Sequence, residues 1–277
     1  MTTEQRVGTQ TATRGADPMG SSTSSMSAKR VLRIGAGVLV LAFLAWQLGA
    51  GPFVDGLRAT NGWAVLVAVV VTAGTTWCVA LRWSLLTARF ASGERTRVPV
   101  RTAYVAYYRS QLINATLPGG VVGDVHRGAR HGWRGVVWDR VLGQVVQVAL
   151  VGALLLPGAW RWGGLAVVAV VVVAGGWLLM LSALSTAGHL VVFVVAAESL
   201  GVSLSLGTLV SIGALVLLGA AVPLNVAGWG PREGVAAWAF AAYGSTAATG
   251  LAVSVTFGVL AMVATLPGVL VLGSRHG

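Results

Sequence analysis

Leu117-Pro118-Gly119-Gly120-Val121-Val122-Gly123-Asp124-Val125-His126-Arg127 is the stretch on which the reading of the fold turns. It interrupts an apolar sequence with a proline and three glycines, then sets a carboxylate and a guanidinium one helical turn apart. Pro118 ends the preceding helix, because it has no N–H to donate and its ring clashes with the turn before it. Gly119, Gly120 and Gly123 leave backbone amides bare where the next helix begins, an arrangement that attracts phosphate. In lipid such a break persists only where protein buries the freed backbone groups or water reaches them. Asp124 suits a cap or first-turn position, and Arg127, Arg130, His131 and Arg134 follow on the same side. The plainer alternative is that Asp124 caps the helix and pairs with Arg127 while the other arginines fix topology.

Composition sets the class in which that break has to be understood. Hydrophobic residues make up 56% of the chain and charged residues 10%, with a mean hydropathy of +0.79; a soluble domain carries about 25% charged residues. The fold class expected is all-α, a polytopic membrane helix bundle. The formal charge of +11 is spread in short clusters between apolar runs and not over one soluble face, so nucleic acid is not an expected partner. The clusters read as topology signals and anionic-lipid contacts. Cys78 is the only cysteine, which excludes a disulfide framework and cysteine-based metal sites. His126, His131 and His189 lack metal-ligand spacing, so neither a metal nor a cofactor is expected. No Walker loop or dinucleotide fingerprint is present. Any movement of substrate would run downhill, use an ion gradient or draw on a partner's energy.

Residues 1–28 are rich in Ser, Thr and Gly and predict a disordered cytoplasmic tail, since they bury too little to offset the entropy of ordering. Lys29, Arg30 and Arg33 precede an apolar run at 34–50 without a small-residue cleavage site, which predicts a retained first helix with its N-terminus inside. A second span is predicted at 62–81, and Arg82, Arg89, Arg95, Arg97 and Arg101 mark the connection after it as cytoplasmic. Residues 102–117 are too short and too polar for a crossing of about 20 apolar residues. Tyr104, Tyr107, Tyr108 and Gln111 share one helical face there. Basic flanks on both sides predict a helix that enters the membrane and returns. Further spans are predicted at roughly 136–157, 163–182, 186–201, 205–224 and 248–272, with Glu198 as an intramembrane charge and a half-length helix at 235–243. The total is about seven full spans plus one or two broken or re-entrant helices, in one domain at 29–277.

A second break, Asn225-Val226-Ala227-Gly228-Trp229-Gly230-Pro231-Arg232-Glu233-Gly234, repeats the formula. Gly230 stands where an N-cap belongs, Pro231 at the first helical position and Glu233 at the third. Glu233 is then either a capping residue or part of a site. Arg232 and Glu233 are the only charges between Glu198 and Arg275, and intramembrane charge is a functional candidate by default. Asp139 and Arg140 open another span one turn before Gly143 and are placed to partner Arg127 and Asp124. Gly143, Gly163, Gly164, Gly175 and Gly176 read as packing positions that let helices approach closely in lipid. One Gly/Pro break in each half is also the pattern of paired broken helices in inverted-repeat transporters.

Four ordered motifs carry a resemblance: Gln111 with Asn114; Leu117-Pro118-Gly119-Gly120 through Gly123-Asp124 and Arg127; Asp139-Arg140-Val141-Leu142-Gly143; and Gly228-Trp229-Gly230-Pro231-Arg232-Glu233-Gly234. In this order they resemble the flippase-like transmembrane family of lysylphosphatidylglycerol synthases, over nearly everything after the tail. Val122 stands where that family often has a second glycine before the aspartate, and Pro231 where a less rigid residue is common. The resemblance implies a multi-pass protein of the bacterial plasma (inner) membrane that flips a phospholipid or polyprenyl-linked lipid between leaflets. It shows no counterpart of the soluble aminoacyl-transferring domain of the full synthases, so lipid aminoacylation, and catalysis generally, is not expected of this chain.

The breaks and the resemblance together nominate Gln111, Asn114, Pro118, Gly119, Gly120, Gly123, Asp124, Arg127, Asp139, Arg140, Gly228, Gly230, Arg232 and Glu233 as substrate-binding residues. Arg127 and Arg232 would hold an anionic headgroup, and Asp124, Asp139 and Glu233 would orient those arginines or accept a cationic group. The expected partner is therefore a membrane lipid. Two alternatives stay open: a membrane-embedded enzyme on a lipid phosphate, with the carboxylates as base or metal ligands, or a non-catalytic subunit that positions an envelope enzyme.

Overall fold

Runs of Val, Leu and Ala as long as these become helices in lipid, because only bonds within the segment can satisfy each backbone N–H and C=O there. A computed structural model describes residues 38–39, 41–90, 97–117, 121–222 and 229–270. The tail at 1–28 and the nominated Pro118, Gly119, Gly120 and Gly228 lie outside the described residues. The described residues are helical: α1 at 41–48, α2 Gly51–Arg58, α3 Gly62–Arg89, α4 Val100–Thr116, α5 Val122–His131, α6 Trp133–Leu155, α7 Trp160–Ala174, α8 Trp177–Ser199, α9 Leu206–Ala220, α10 Pro231–Ala242, α11 Ala247–Thr265 and α12 Pro267–Leu270. Polar caps set several of the starts. Asn61 accepts the Ala64 amide at 2.9 Å before α3, Ser205 the Thr208 amide at 3.2 Å before α9, and Thr246 the Thr249 amide at 3.0 Å before α11.

Among the described residues, four helices are long and apolar enough to cross a membrane: α3, α6, α8, and α11 continued through α12. The apolar α7 and α9 have 15 residues each, about 22 Å of helix against a hydrocarbon core of about 30 Å. The described residues thus supply four crossing-length helices where about seven spans were expected, and part of the run at 34–50 lies outside them.

The division of the middle of the chain also differs from expectation. The break falls at Gly175 and Gly176, not at 183–185, and α8 continues without interruption through Ser182 and Thr186. Gly176 takes φ 69°, a left-handed conformation that costs a glycine little and other residues more. The predicted second span likewise continues past 81 to Arg89, so Arg82 lies inside α3 and is 5% exposed. Glu198 is exposed in the last turn of α8.

Close helix contacts bring the polar segments together. A Cβ on Gly188 of α8 would lie 2.2 Å from Thr75 Cγ2 of α3, and one on Gly123 of α5 would lie 2.3 Å from the Ser110 carbonyl oxygen of α4. Ser110 Oγ also donates to the Gly123 carbonyl at 2.9 Å, so α4 and α5 form a tight hairpin. Phe193, Phe240 and Phe257 join α8, α10 and α11 in the main apolar cluster, while Trp83 and Tyr107 centre a smaller one between α3 and α4. Leu66, Val70, Val167, Val170 and Val173 remain exposed on the outside of the bundle, as lipid-facing positions do.

Candidate functional site

Several helices turn a polar stripe toward one cleft. Thr75 and Arg82 come from α3; Tyr107, Ser110, Gln111 and Asn114 from α4; Asp139, Arg140, Gln144 and Gln147 from α6; and Ser182, Ser185, Thr186 and His189 from α8. Spacings of three and four residues keep each set on one face of its helix. With Asp124 of α5 they line a cleft of about 210 Å³.

Two aspartates organise the charges. Asp139 is 1% exposed; it accepts from Arg82 Nε at 2.8 Å and from the Tyr107 hydroxyl, and lies 3.6 Å from Arg127 Nη2. Arg82 spends a second donor on Ser182 Oγ at 2.6 Å, which ties α3 to both α6 and α8. Asp124 accepts from Arg127 Nη2 at 2.8 Å, from Asn114 Nδ2 at 3.3 Å and from Arg140. Asn114 Oδ1 accepts the Gly123 amide at 2.7 Å, so one amide at the start of α5 is taken by a side chain.

Arg127 does not line this cleft, contrary to the role in which it was nominated. It is 2% exposed, with its guanidinium 3.8 Å from the Tyr107 ring centre and 4.7 Å from that of Trp83. Its Nε and Nη1 have no hydrogen-bond partner among the described residues, and the two π faces take their place. Arg82, Arg127 and Arg140 therefore face Asp124 and Asp139, and one positive charge is left over. The guanidinium groups that reach the cleft are those of Arg82 and Arg140, and the Arg140 side chain is 50% exposed.

The second break contributes an adjoining cleft of about 290 Å³, lined by Trp229, Arg232, Val192, Phe257, Gly258 and Met262 among others. Gln111, Asn114, Arg140 and His189 line both clefts, so the flanks of the two breaks meet at a shared wall. Glu233 is fully buried. It accepts the Gly230 amide at 2.7 Å, Arg232 Nε and Nη2 at 2.8 and 2.6 Å, and Ser254 Oγ at 3.2 Å. Glu233 therefore caps the start of α10 and pairs with Arg232 at the same time. Arg232 sits 5.1 Å from the Trp229 ring centre and 5.5 Å from that of Phe257. A Cβ at Gly258 would lie 2.2 Å from Arg232 Nη2, so the glycine provides its seat.

Of the nominated residues, Gln111, Asn114, Asp124, Asp139, Arg140 and Arg232 line a cleft, while Gly123, Arg127, Gly230 and Glu233 hold those side chains in place. Sequence reasoning missed Arg82, read as a topology arginine, and the α8 stripe of Ser182, Ser185, Thr186 and His189. The i, i+3, i+4, i+7 spacing of that stripe was the available signal. Among the described residues no group of three or more His, Cys, Asp and Glu side chains is placed to hold a metal ion. Comparison with protein-family models, with curated proteins and with solved structures finds no match for this chain.

Proposed function

We propose that this chain is a flippase-like protein of the bacterial plasma membrane, in which the adjoining clefts pass an anionic lipid headgroup between leaflets. The observation that carries the reading is the shared wall. Two buried ion clusters, each beside a break in the helices, open onto clefts with four side chains in common, and the first holds an uncompensated positive charge. Such a surface attracts phosphate, and its preformed geometry spares the reorganisation that would weaken binding. The α4–α5 hairpin is the re-entrant element. With the apolar run at 34–50 and local thinning of the bilayer, the short apolar helices α7 and α9 complete a bundle of about seven spans, and the N-terminus lies in the cytoplasm. The chain belongs with the transmembrane region of lysylphosphatidylglycerol synthases on the strength of its four motifs, and it moves lipid without chemical turnover.

Lipid tails stay in the bilayer on this reading, since withdrawing them forfeits about 0.8 kcal/mol per CH₂. The test is a proteoliposome assay with acyl-labelled fluorescent lipid, in which external reductant reports arrival at the outer leaflet. Wild type moves anionic lipid faster than empty vesicles, and Arg140→Ala and Arg232→Ala each slow it. Equal rates for wild type, both variants and empty vesicles would overturn the proposal.

A further inference from the structure

Cations make up only a small part of the first cleft's wall. Amides and hydroxyls from Gln111, Gln144, Gln147, Ser185 and Thr186 face it together with the His189 ring. Gln147 Oε1 is sealed from solvent and has no hydrogen-bond partner among the described residues. An amide oxygen can only accept, so that atom requires a donor. His189 Nδ1 lies 2.7 Å from the Ser185 carbonyl oxygen. The carbonyl also can only accept, so the ring donates from Nδ1, and in its neutral form it keeps Nε2 as an acceptor. The cleft thus calls for donors as well as for negative charge.

Candidate headgroups divide on that requirement. A bare phosphodiester satisfies Arg140 and brings acceptors only. An ammonium brings donors, but it carries positive charge into a cluster where Arg82, Arg127 and Arg140 already outnumber Asp124 and Asp139. A neutral hydroxyl offers both donor and acceptor and adds no charge. We infer that the first cleft takes an uncharged, hydroxyl-bearing headgroup such as glycerol, inositol or a sugar, carried on a lipid phosphate that lodges at Arg140, the cation lining both clefts. The inference rests on the reading that the clefts hold a lipid headgroup, and it disfavours an aminoacylated, cationic lipid.

Two measurements on the purified full chain separate the inference from that reading. Retention of acyl-matched phosphatidylglycerol, phosphatidylinositol, phosphatidylmethanol and lysylphosphatidylglycerol is scored by native mass spectrometry, and movement of their acyl-labelled forms is followed in proteoliposomes. Phosphatidylmethanol carries the same phosphodiester with no hydroxyl. The two hydroxylated anionic lipids are retained and moved about tenfold better than phosphatidylmethanol, and lysylphosphatidylglycerol ranks last. Gln147→Leu, checked for an unchanged unfolding midpoint, narrows that preference to about threefold or less. Equal retention and movement of phosphatidylmethanol and phosphatidylglycerol overturns the inference while lipid movement stands. Selective retention of the hydroxylated lipids, with no movement above empty vesicles, supports the inference and overturns transport. Retention and movement of none of the four overturns both.

Discussion

Asp139→Asn is the substitution whose cost follows most directly from the geometry. The carboxylate is buried, 2.8 Å from Arg82 Nε and 3.6 Å from Arg127 Nη2, and it accepts the Tyr107 hydroxyl. Unit charges about 4 Å apart attract by roughly 4 kcal/mol at an effective dielectric constant of about 20, and the substitution removes two such attractions at once. Asparagine keeps the shape and can still accept from Tyr107, but Arg82 loses its carboxylate partner and Arg127 is left with Asp124. Removing one partner of a buried pair costs about 3–5 kcal/mol, and a loss in that range is expected here. At about 2–4 °C per kcal/mol for a chain of this size, the thermal unfolding midpoint in detergent, read by tryptophan fluorescence, falls by roughly 6–20 °C. The double variant Arg82→Met/Asp139→Asn removes a stranded cation with the carboxylate and restores the original charge balance, so it recovers much of the loss. A midpoint for Asp139→Asn within about 2 °C of wild type, or a double variant worse than the sum of the singles, would refute the argument that Asp139 stabilises both arginines.

Other positions test other parts of the arrangement. Arg140 is half-exposed and pairs with Asp124, so Arg140→Ala costs less than about 1 kcal/mol of stability but slows lipid movement by roughly tenfold or more, the worth of a charge-assisted contact to phosphate; unchanged movement removes Arg140 from the site. Gly258→Ala places a methyl 2.2 Å from Arg232 Nη2 and drives the guanidinium away from Glu233, at about 1–3 kcal/mol, read as a lower midpoint together with slower movement. Gly123→Ala meets the Ser110 carbonyl oxygen at 2.3 Å, where backbone on both sides cannot yield, whereas Gly152 has nothing within 4 Å. The first lowers the midpoint and Gly152→Ala leaves it equal or slightly higher; equal midpoints for the two would remove the close approach of α4 and α5.

The starts of elements were legible where a local signal fixes them. Pro231 and Glu233 mark the start of α10 because a proline at the first helical position and a carboxylate at the third satisfy purely local backbone needs. Long-range partners carry no such signal. Arg82 reads as the end of a span because charge is costly in lipid, yet Asp139, 57 residues on, neutralises it inside the bundle. The α8 stripe was hidden by a boundary error. Dividing the apolar run at 183–185 separated Ser182 from Ser185, Thr186 and His189, which one continuous helix places on a single face. The true boundary was visible as Gly175-Gly176, but small residues in apolar helices are also packing positions, and sequence alone does not tell a left-handed glycine from one under a close contact.

The division of labour among the arginines follows from what surrounds each one. Arg82 and Arg127 are fixed by carboxylates, by Ser182 and by aromatic faces, so a passing anion has little of their donor capacity left to take. Their charge still acts at short range in a poorly polarisable interior and, on the proposed reading, supplies the excess that would draw an anion toward the cleft. Arg140 has the opposite balance: among the described residues its ion pairing is confined to Asp124, half its side chain is exposed, and it borders both clefts. On the proposed reading, an anion there competes with Asp124 for one guanidinium, which keeps binding reversible, as lipid movement would require. A carboxylate held by Arg127 and Asn114 while Arg140 leaves it is not stranded. The buried network therefore allows Arg140 to exchange partners without exposing an unpaired charge to the membrane.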